Sequence, residues 1–478
     1  MKNIRKLSKT IYRLFFVLVF LPLSLAAQDT LPLDLSKAIK KNGFSNNGIG
    51  LFIQSVNDKQ TIVSYHAKQA LNPASVIKLV TTAAALGILG SGYRWSTDVS
   101  YTGSIKEATI TGDLYFKGNG DPYLTPERFW RLLNRIAIYG VTDIQGNVYF
   151  DNSYFDPGQI NYASFDSQPY RTYNVGPNAL LIGFQATEFH FSHSNNKVSI
   201  TAFPSSPKLH IKNNVKLSKG RCGSWQKRLN ISTQTVATEL QIKFTGRYAK
   251  ACDKKTLYRR VTETQDHFRH YFLPLWRQIG GSISGQILAR KMEVNSNPIL
   301  SDESISLSEA IRYINKFSNN VMTRQLLLSM GAQQLGIPGT TTKGIIAVNN
   351  WLDQQGLDHS SLQFDNGAGL SRKTRVSAEF LGTLLLYVFQ QPYMPEFISS
   401  LPVSGYDGTM ANRFKGQALQ GRTHIKTGLL DFVQSMAGYV MAKNGKRYVV
   451  VLLHNHPKAH TKSATRLQND IIRWVYEL

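Results

Sequence analysis

Residues 75–86 read Ser-Val-Ile-Lys-Leu-Val-Thr-Thr-Ala-Ala-Ala-Leu and follow Asn72-Pro73-Ala74. Apart from Lys78 and two threonines, every position after Ser75 is apolar. A helix that is apolar all round belongs inside a protein, so the run predicts a buried helix with Ser75 at its start. Positions i and i+3 share one helix face. Lys78 can therefore reach the Ser75 hydroxyl, which also lies at the positive end of the helix dipole. A serine hydroxyl is a poor nucleophile until a neighbouring base takes its proton. A lysine disfavoured as an ammonium by desolvation can be that base. The plainer reading is a capped core helix with a lysine at its edge.

Two further short patterns follow in order, Ser318-Asn319-Asn320 and Lys426-Thr427-Gly428. Each has an ordinary structural reading: Ser and Asn are preferred helix N-caps, and the Gly closes a turn at the end of a strand over 422–425. Each also has a chemical one. Ser318 relays a proton to a leaving amine, Asn320 hydrogen-bonds a substrate amide, and Gly428 lets a peptide approach the strand edge and pair with it. Ser205-Ser206-Pro207-Lys208 and Ser224-Trp225-Gln226-Lys227 repeat the first pattern, and Ser45-Asn46-Asn47 and Ser194-Asn195-Asn196 mimic the second. All four lie in polar, turn-rich or β-like surroundings.

Outward from these motifs, residues 48–55 and 61–65 read as strands around a turn at Asn57-Asp58. Near the other end, residues 435–442 and 447–453 flank Asn444-Gly445, a type I′ hairpin signal. Residues 463–478 place Leu467, Ile471, Trp474, Val475 and Leu478 at helical spacing. The middle differs. Strands are predicted over 97–101, 108–116 and 148–150, and a helix starts at Thr125-Pro126-Glu127 and ends at Gly140. Short β-like runs occupy 174–248, a helix 265–279 and a strand 283–289. After Ser304 the pattern is helical over 307–316, 319–329, 341–355 and 377–390. One α/β body made from both chain ends, interrupted by an inserted region, accounts for this order.

Ser75-x-x-Lys78, Ser318-x-Asn320 and Lys426-Thr427-Gly428 in this order resemble the penicillin-binding proteins and serine β-lactamases. The 243 residues between the first two motifs are too many for a compact β-lactamase. The chain is similar to the low-molecular-mass class C penicillin-binding proteins, the D-alanyl-D-alanine carboxypeptidase/endopeptidase family. Residues 112–122, 369–372, 401–408 and 437–439 agree with it. The resemblance implies an α/β (α+β) fold: a β-lactamase/transpeptidase-like domain, an antiparallel sheet with helices on both faces, carrying two inserted β-rich domains. Its expected extents are 28–95 with 292–478 for the catalytic domain, 96–170 with 262–291 for one insert and 171–261 for the other.

It further implies that Ser75 attacks the carbonyl of a D-Ala-D-X bond in a peptidoglycan stem peptide. Lys78 is then the base, Lys426 and Ser318 complete the proton path, Thr427 binds the substrate carboxylate, and the backbone N–H groups of Ser75 and Leu429 form the oxyanion hole. β-Lactams should acylate Ser75, and no metal or organic cofactor is called for. Asp151, ending the strand over 148–150, is the candidate reader of a diaminopimelate amine; its plainer reading is a strand-end turn residue. Two departures stand out. Leu429 replaces the usual Thr or Ser after the Lys-Thr-Gly motif, and Asn366-Gly367-Ala368-Gly369-Leu370-Ser371-Arg372 has Asn and Ala where the family has Asp and Ser. They motivate a second reading, a catalytically weak peptidoglycan-binding protein; a β-lactamase or esterase on the same fold is a third.

The 478 residues, 42% hydrophobic and 18% charged, are enough for two to four domains at about 100–200 residues each and rule out a largely disordered chain. Lys2, Arg5, Lys6, Lys9 and Arg13, then the apolar run 14–25 and Ala26-Ala27, predict a cleavable signal peptide over 1–27 and a periplasmic protein; an uncleaved anchor is the alternative. No apolar run reaches the roughly 20 residues of a membrane helix. Cleavage takes five positive charges and reduces the net charge from +25 to +20, which would suit cell-wall polymer or a membrane surface. Export and the absence of any zinc-finger, RNA-binding or basic-zipper pattern disfavour nucleic acid. Cys222 and Cys252, the only cysteines, can persist as a disulfide in that compartment; two buried thiols are the alternative.

Overall fold

The computed structural model describes residues 31–206, 208–236 and 239–478; the expected signal peptide lies outside them. The central sheet runs, in spatial order, Thr423–Leu430, Val433–Met441, Arg447–Asn455, Ile49–Ser55 and Thr61–Tyr65, antiparallel throughout. First and last parts of the chain thus share one sheet. Its strands are apolar on both faces because both are covered. Val449, Val451 and Leu453 pack with helices Lys78–Leu89, Leu307–Phe317 and Ala378–Phe389. Val450 and Leu452 face the other way, onto Leu35 and Ile39 of helix Leu33–Lys41 and Leu467, Ile471 and Val475 of helix Lys462–Glu477. This period-two alternation turns the seemingly uniform run Tyr448–Leu453 into the middle of a three-layer body.

The inserted region holds a second five-stranded sheet, ordered Ile287–Ala289, Val148–Asp151, Leu114–Gly118, Ser96–Tyr101 and Asn297–Glu303. Helices Pro126–Ile138 and Thr264–Gln278 bury Phe129, Leu133, Phe268 and Phe272 against it. Thr125 caps the first of these by accepting from Arg128 N. Two three-stranded sheets make the β-rich module: Lys197–Phe203, Thr187–Ser194 and Lys255–Arg259 in one, Leu209–Ser218, Glu239–Ala249 and Leu229–Val236 in the other. Phe189, Phe191, Trp225, Phe244 and Tyr248 fill the space between them, and Cys222 and Cys252 are bonded.

Several expectations need correction. The predicted strand 108–116 is two, Thr109–Ile110 and Leu114–Gly118, because Asp113 leaves the ladder to accept from Asn147 N. The predicted strand 283–289 likewise splits into Ser282–Ile283 and Ile287–Ala289. The 442–446 hairpin is not type I′: of the Asn444-Gly445 pair only Gly445 takes positive φ (85°). Gly445 N donates to Ala442 O and Ala442 N to Lys446 O, a type I turn followed by a left-handed residue. Finally, Asn297–Glu303 pairs with Ser96–Tyr101. The inserted sheet therefore ends at residue 303, not 291.

Candidate active site

Ser75 lies in a 3-10 turn, Ala74–Ile77, and the α-helix proper begins at Lys78. The turn is braced from behind. Asn72 Oδ1 accepts from Ala74 N at 2.9 Å, and Asn72 and Asn455 exchange two side-chain-to-backbone hydrogen bonds, both 2.9 Å. Ala74 is held at φ 47°, a conformation that costs free energy and persists only where its surroundings impose it. Two glycines allow close approach. Gly369, at φ 78°, abuts Ala74 O, and a Cβ on Gly428 would stand 2.9 Å from Ser75 N and 2.7 Å from Pro73 O.

Lys78 is fully buried. Its Nζ lies 3.0 Å from Ser75 Oγ and 2.6 Å from Asn320 Oδ1, and also meets Ala368 O. None of these partners is charged. Desolvation therefore pushes Lys78 well below the usual lysine range, and the Lys426 and Arg324 charges add to it. A neutral amine has two N–H bonds and one lone pair. Donating to Asn320 and Ala368 leaves the lone pair for the Ser75 O–H, the arrangement a base requires.

The second pattern begins a helix, as expected, and also ends the one before it. Ser318 is the left-handed residue (φ 58°) that ends helix Leu307–Phe317, and Asn319 caps helix Asn320–Leu335 by accepting from Met322 N at 3.1 Å. The sharp turn projects Ser318 and Asn320 together. Lys426, fully buried, donates to Ser318 Oγ at 3.0 Å and to Thr427 O at 2.7 Å. Burial lowers its pKa to about 7. The Lys-Thr-Gly motif is not at a strand end, as expected, but inside the edge strand Thr423–Leu430. Leu429 is exposed.

Three distant segments thus meet in two hydrogen-bonded sets, Lys78 with Ser75 and Asn320 and Lys426 with Ser318, which the turn carrying Ser318 and Asn320 brings side by side. Asp151 is not among them. Its carboxylate is buried, with Oδ1 accepting from Ser153 N at 2.7 Å and Oδ2 from Met292 N at 2.8 Å. Each oxygen accepts a backbone N–H at the strand end and the side chain is closed to solvent, which replaces the amine-reading expectation with the structural one. The repeated Ser-x-x-Lys patterns at 205 and 224 lie in the β-rich module, away from this cluster.

Three participants escaped sequence reasoning. Thr409, in the turn Gly408–Met410, accepts from Thr427 Oγ1 at 2.7 Å. That turn is tied to the residues before Ser318 by Lys316, which donates to Asp407 Oδ2 at 2.6 Å and Leu401 O at 2.9 Å. Arg324, one helical turn after Asn320, is held by the carbonyls of Tyr173 (3.3 Å) and Val175 (2.7 Å). The only sequence signal for Arg324 was its i+4 spacing from Asn320. Two cavities flank the cluster. One of about 330 Å³ has Ser318 and Asn320 in its wall with Tyr173, Phe184, Tyr258 and Phe317. The other, about 530 Å³, holds Arg324, Asp365, Asn366 and Arg372. Among the described residues no three His, Cys, Asp or Glu side chains are grouped to hold a metal ion.

Comparison with known proteins gives the same direction. The model of the D-Ala-D-Ala carboxypeptidase 3 (S13) family matches residues 31–477. A D-alanyl-D-alanine carboxypeptidase of Actinomadura sp. (strain R39) is 27% identical over 428 residues, covering 85% of this chain and 78% of the relative. The D-alanyl-D-alanine carboxypeptidase DacB of Haemophilus influenzae is 22% identical, covering 86% and 85%. Penicillin binding protein 4 from that organism superposes with TM-score 0.78 at 20% identity, over 93% of this chain and 99% of that one. A predatory endopeptidase of Bdellovibrio bacteriovorus gives 0.54 at 15%, over 89% and 92%. Fold and motif order together are those of a low-molecular-mass class C penicillin-binding protein. The chain belongs to the D-Ala-D-Ala carboxypeptidase 3 (S13) family and is a hydrolase of the peptidase class.

Proposed function

We propose that Ser75 is the nucleophile of a D-Ala-D-Ala carboxypeptidase acting on peptidoglycan stem peptides. The observation that carries this is the uncharged cage around Lys78, which favours an amine with its lone pair toward Ser75 Oγ. Lys78 takes the Ser75 proton as Oγ bonds to the carbonyl carbon. The backbone N–H groups of Ser75 and Leu429 hold the oxyanion, each such donor being worth about 3–4 kcal/mol of barrier. The proton then passes by way of Ser318, with Lys426 beside it, to the departing D-Ala nitrogen, and the C–N bond breaks. Water hydrolyses the Ser75 ester. Thr427, with Thr409 beside it, offers hydroxyls to the terminal carboxylate where Leu429 has none.

Cleavage of D,D-cross-links is a second activity of the same site. Penicillin acylates Ser75, as the penicillin G-acylated Bdellovibrio endopeptidase supports by analogy. The protein works in the periplasm after loss of residues 1–27. Incubating monomeric and cross-linked muropeptides with the protein and with Ser75→Ala tests all of this. D-Ala release should fall by at least about 10³-fold in the variant, with fluorescent-penicillin labelling lost. Equal release by both proteins removes Ser75 from the mechanism, and muropeptide binding without labelling of the native protein returns the binding-protein reading.

A further inference from the structure

Between residues 187 and 259 the chain carries fourteen lysines and arginines against three acids, and the structure places many of them on one side. In the sheet of Leu209–Ser218, Glu239–Ala249 and Leu229–Val236, the first two strands run parallel, with Lys212 directly beside Lys243 and Lys216 directly beside Arg247. The intervening residues, among them Ile211, Val215, Ile242 and Phe244, face the module's core, so all four cations point outward and are exposed. Like charges directly opposite in a sheet destabilise it. Here two such pairs sit in succession, and none of the four side chains makes a hydrogen bond or an ion pair among the described residues. The acid nearest in register, Glu239, is occupied by His210 at 3.1 Å.

A second feature continues this face. An open cleft of about 590 Å³ beside the same strand is lined by Lys197, Lys216, Lys219 and Lys250, with no carboxylate in its wall. Lys250 donates to Asn196 Oδ1 at 2.8 Å, which fixes it at the rim. Lys216 belongs to both cleft and sheet face. Four residues along a strand span about 13 Å and neighbouring strands stand about 4.8 Å apart. The cations therefore form a two-dimensional array suited to a polymer with repeated anionic groups, not to a single small anion.

We infer that this face of the β-rich module binds the anionic, carboxylate-bearing polymer of peptidoglycan and holds the enzyme on its insoluble substrate. The inference rests on the reading of Ser75 as a muropeptide hydrolase. The sheet face favours a hydrated polymer over a bilayer: Asn214 and Thr245 lie between the cations, and Asn230 and Ser232 pair beside them from the outer strand, so no aromatic or large aliphatic side chain sits among the cations to insert among lipids. None of the four cations lies in the catalytic cluster, so attachment and catalysis are separable.

The test uses the whole protein with Lys212, Lys216, Lys243 and Arg247 all changed to Gln, and the single Lys243→Gln as a milder companion. Purified peptidoglycan sacculi are pelleted with each protein between 25 and 400 mM NaCl, alongside vesicles containing 30% anionic lipid. The native protein should sediment with sacculi at low salt and be released as salt rises. The quadruple variant should bind at least about fivefold more weakly and the single variant by an intermediate amount, with melting temperatures equal to or above native once the like charges are gone. Hydrolysis of a soluble D-Ala-D-Ala tripeptide should be unchanged, while hydrolysis of sacculi falls. Sacculus binding unaltered in the quadruple variant, or native binding to vesicles and not to sacculi, overturns the inference. Loss of soluble-peptide hydrolysis in native protein would instead strike the reading of the catalytic site.

Discussion

Among the described residues neither Lys78 nor Lys426 forms an ion pair, although both are fully buried; their oxygen partners are hydroxyls, a side-chain amide and backbone carbonyls. Burial therefore acts on both without a compensating anion, and the Lys426 charge further disfavours a proton on Lys78. A general base must be unprotonated, so activity should rise with pH as Lys78 loses its proton. Lys78, pushed well below the usual lysine range chiefly by burial, sets the acid limb of kcat/KM. Arg324 adds a third positive charge that pushes Lys78 down. Arg324→Gln removes that repulsion, so Lys78 holds its proton to higher pH and the acid limb should shift to the alkaline side. A limb that stays in place or moves to lower pH would separate Arg324 from the base. Because Arg324 also holds the 173–175 backbone, the shift in midpoint, not the drop in rate alone, is the informative reading.

At the scale of elements, the site depends on how closely the edge strand Thr423–Leu430 approaches the Ala74–Ile77 turn. Of the three atoms nearest a Gly428 Cβ, Pro73 O and Ser75 N are backbone and the third is Ala74 Cβ, so none can rotate aside. Gly428→Ala should therefore displace strand from turn by a few tenths of an ångström and spoil the pairing of oxyanion donors. Acylation by penicillin should slow by about 100-fold while the melting temperature falls only a few degrees. An unchanged acylation rate would show that the approach is not needed. Legibility in sequence follows the same division. Ser75, Lys78, Ser318, Asn320 and Lys426 stood out because three short patterns in this order resemble the penicillin-binding proteins; helical spacing by itself argued only for Lys78 beside Ser75. The left-handed Ser318 was not legible, since helix-to-helix turns depend on how two helices pack. Asp151 misled for a related reason: a strand-end aspartate reads alike whether it faces a ligand or caps nearby N–H groups, and Met292, which takes its second oxygen, is 141 residues away. The return strand 297–303 was missed because Asn-Pro and Ser-Asp-Glu lack β character, and pairing with Ser96–Tyr101 supplies what propensity does not.

For the whole molecule, the long insertion gives each unit its own core. The apolar cluster around helix Lys78–Leu89 shares no residue with that of the β-rich module, and the five residues gathered around Ser75 all come from the body built by the two chain ends. The module has its own cross-link, Cys222–Cys252, separated by 30 residues. Closing a loop of that size stabilises a fold by about 3.6 kcal/mol, chiefly by restricting the unfolded chain. Replacing both cysteines by alanine should therefore act locally. Hydrogen exchange in the strands between 187 and 259 should quicken by roughly two to three orders of magnitude, the equivalent of that free energy. Exchange in Arg447–Asn455 should remain at native rates, and penicillin should still acylate Ser75 fully, since no reacting group is supplied from the module. If acylation and central-sheet protection were instead lost together with the module's, the separate cores would be folding as one unit. The wall that Tyr258 contributes beside Ser318 would then be the contact through which the two units depend on each other.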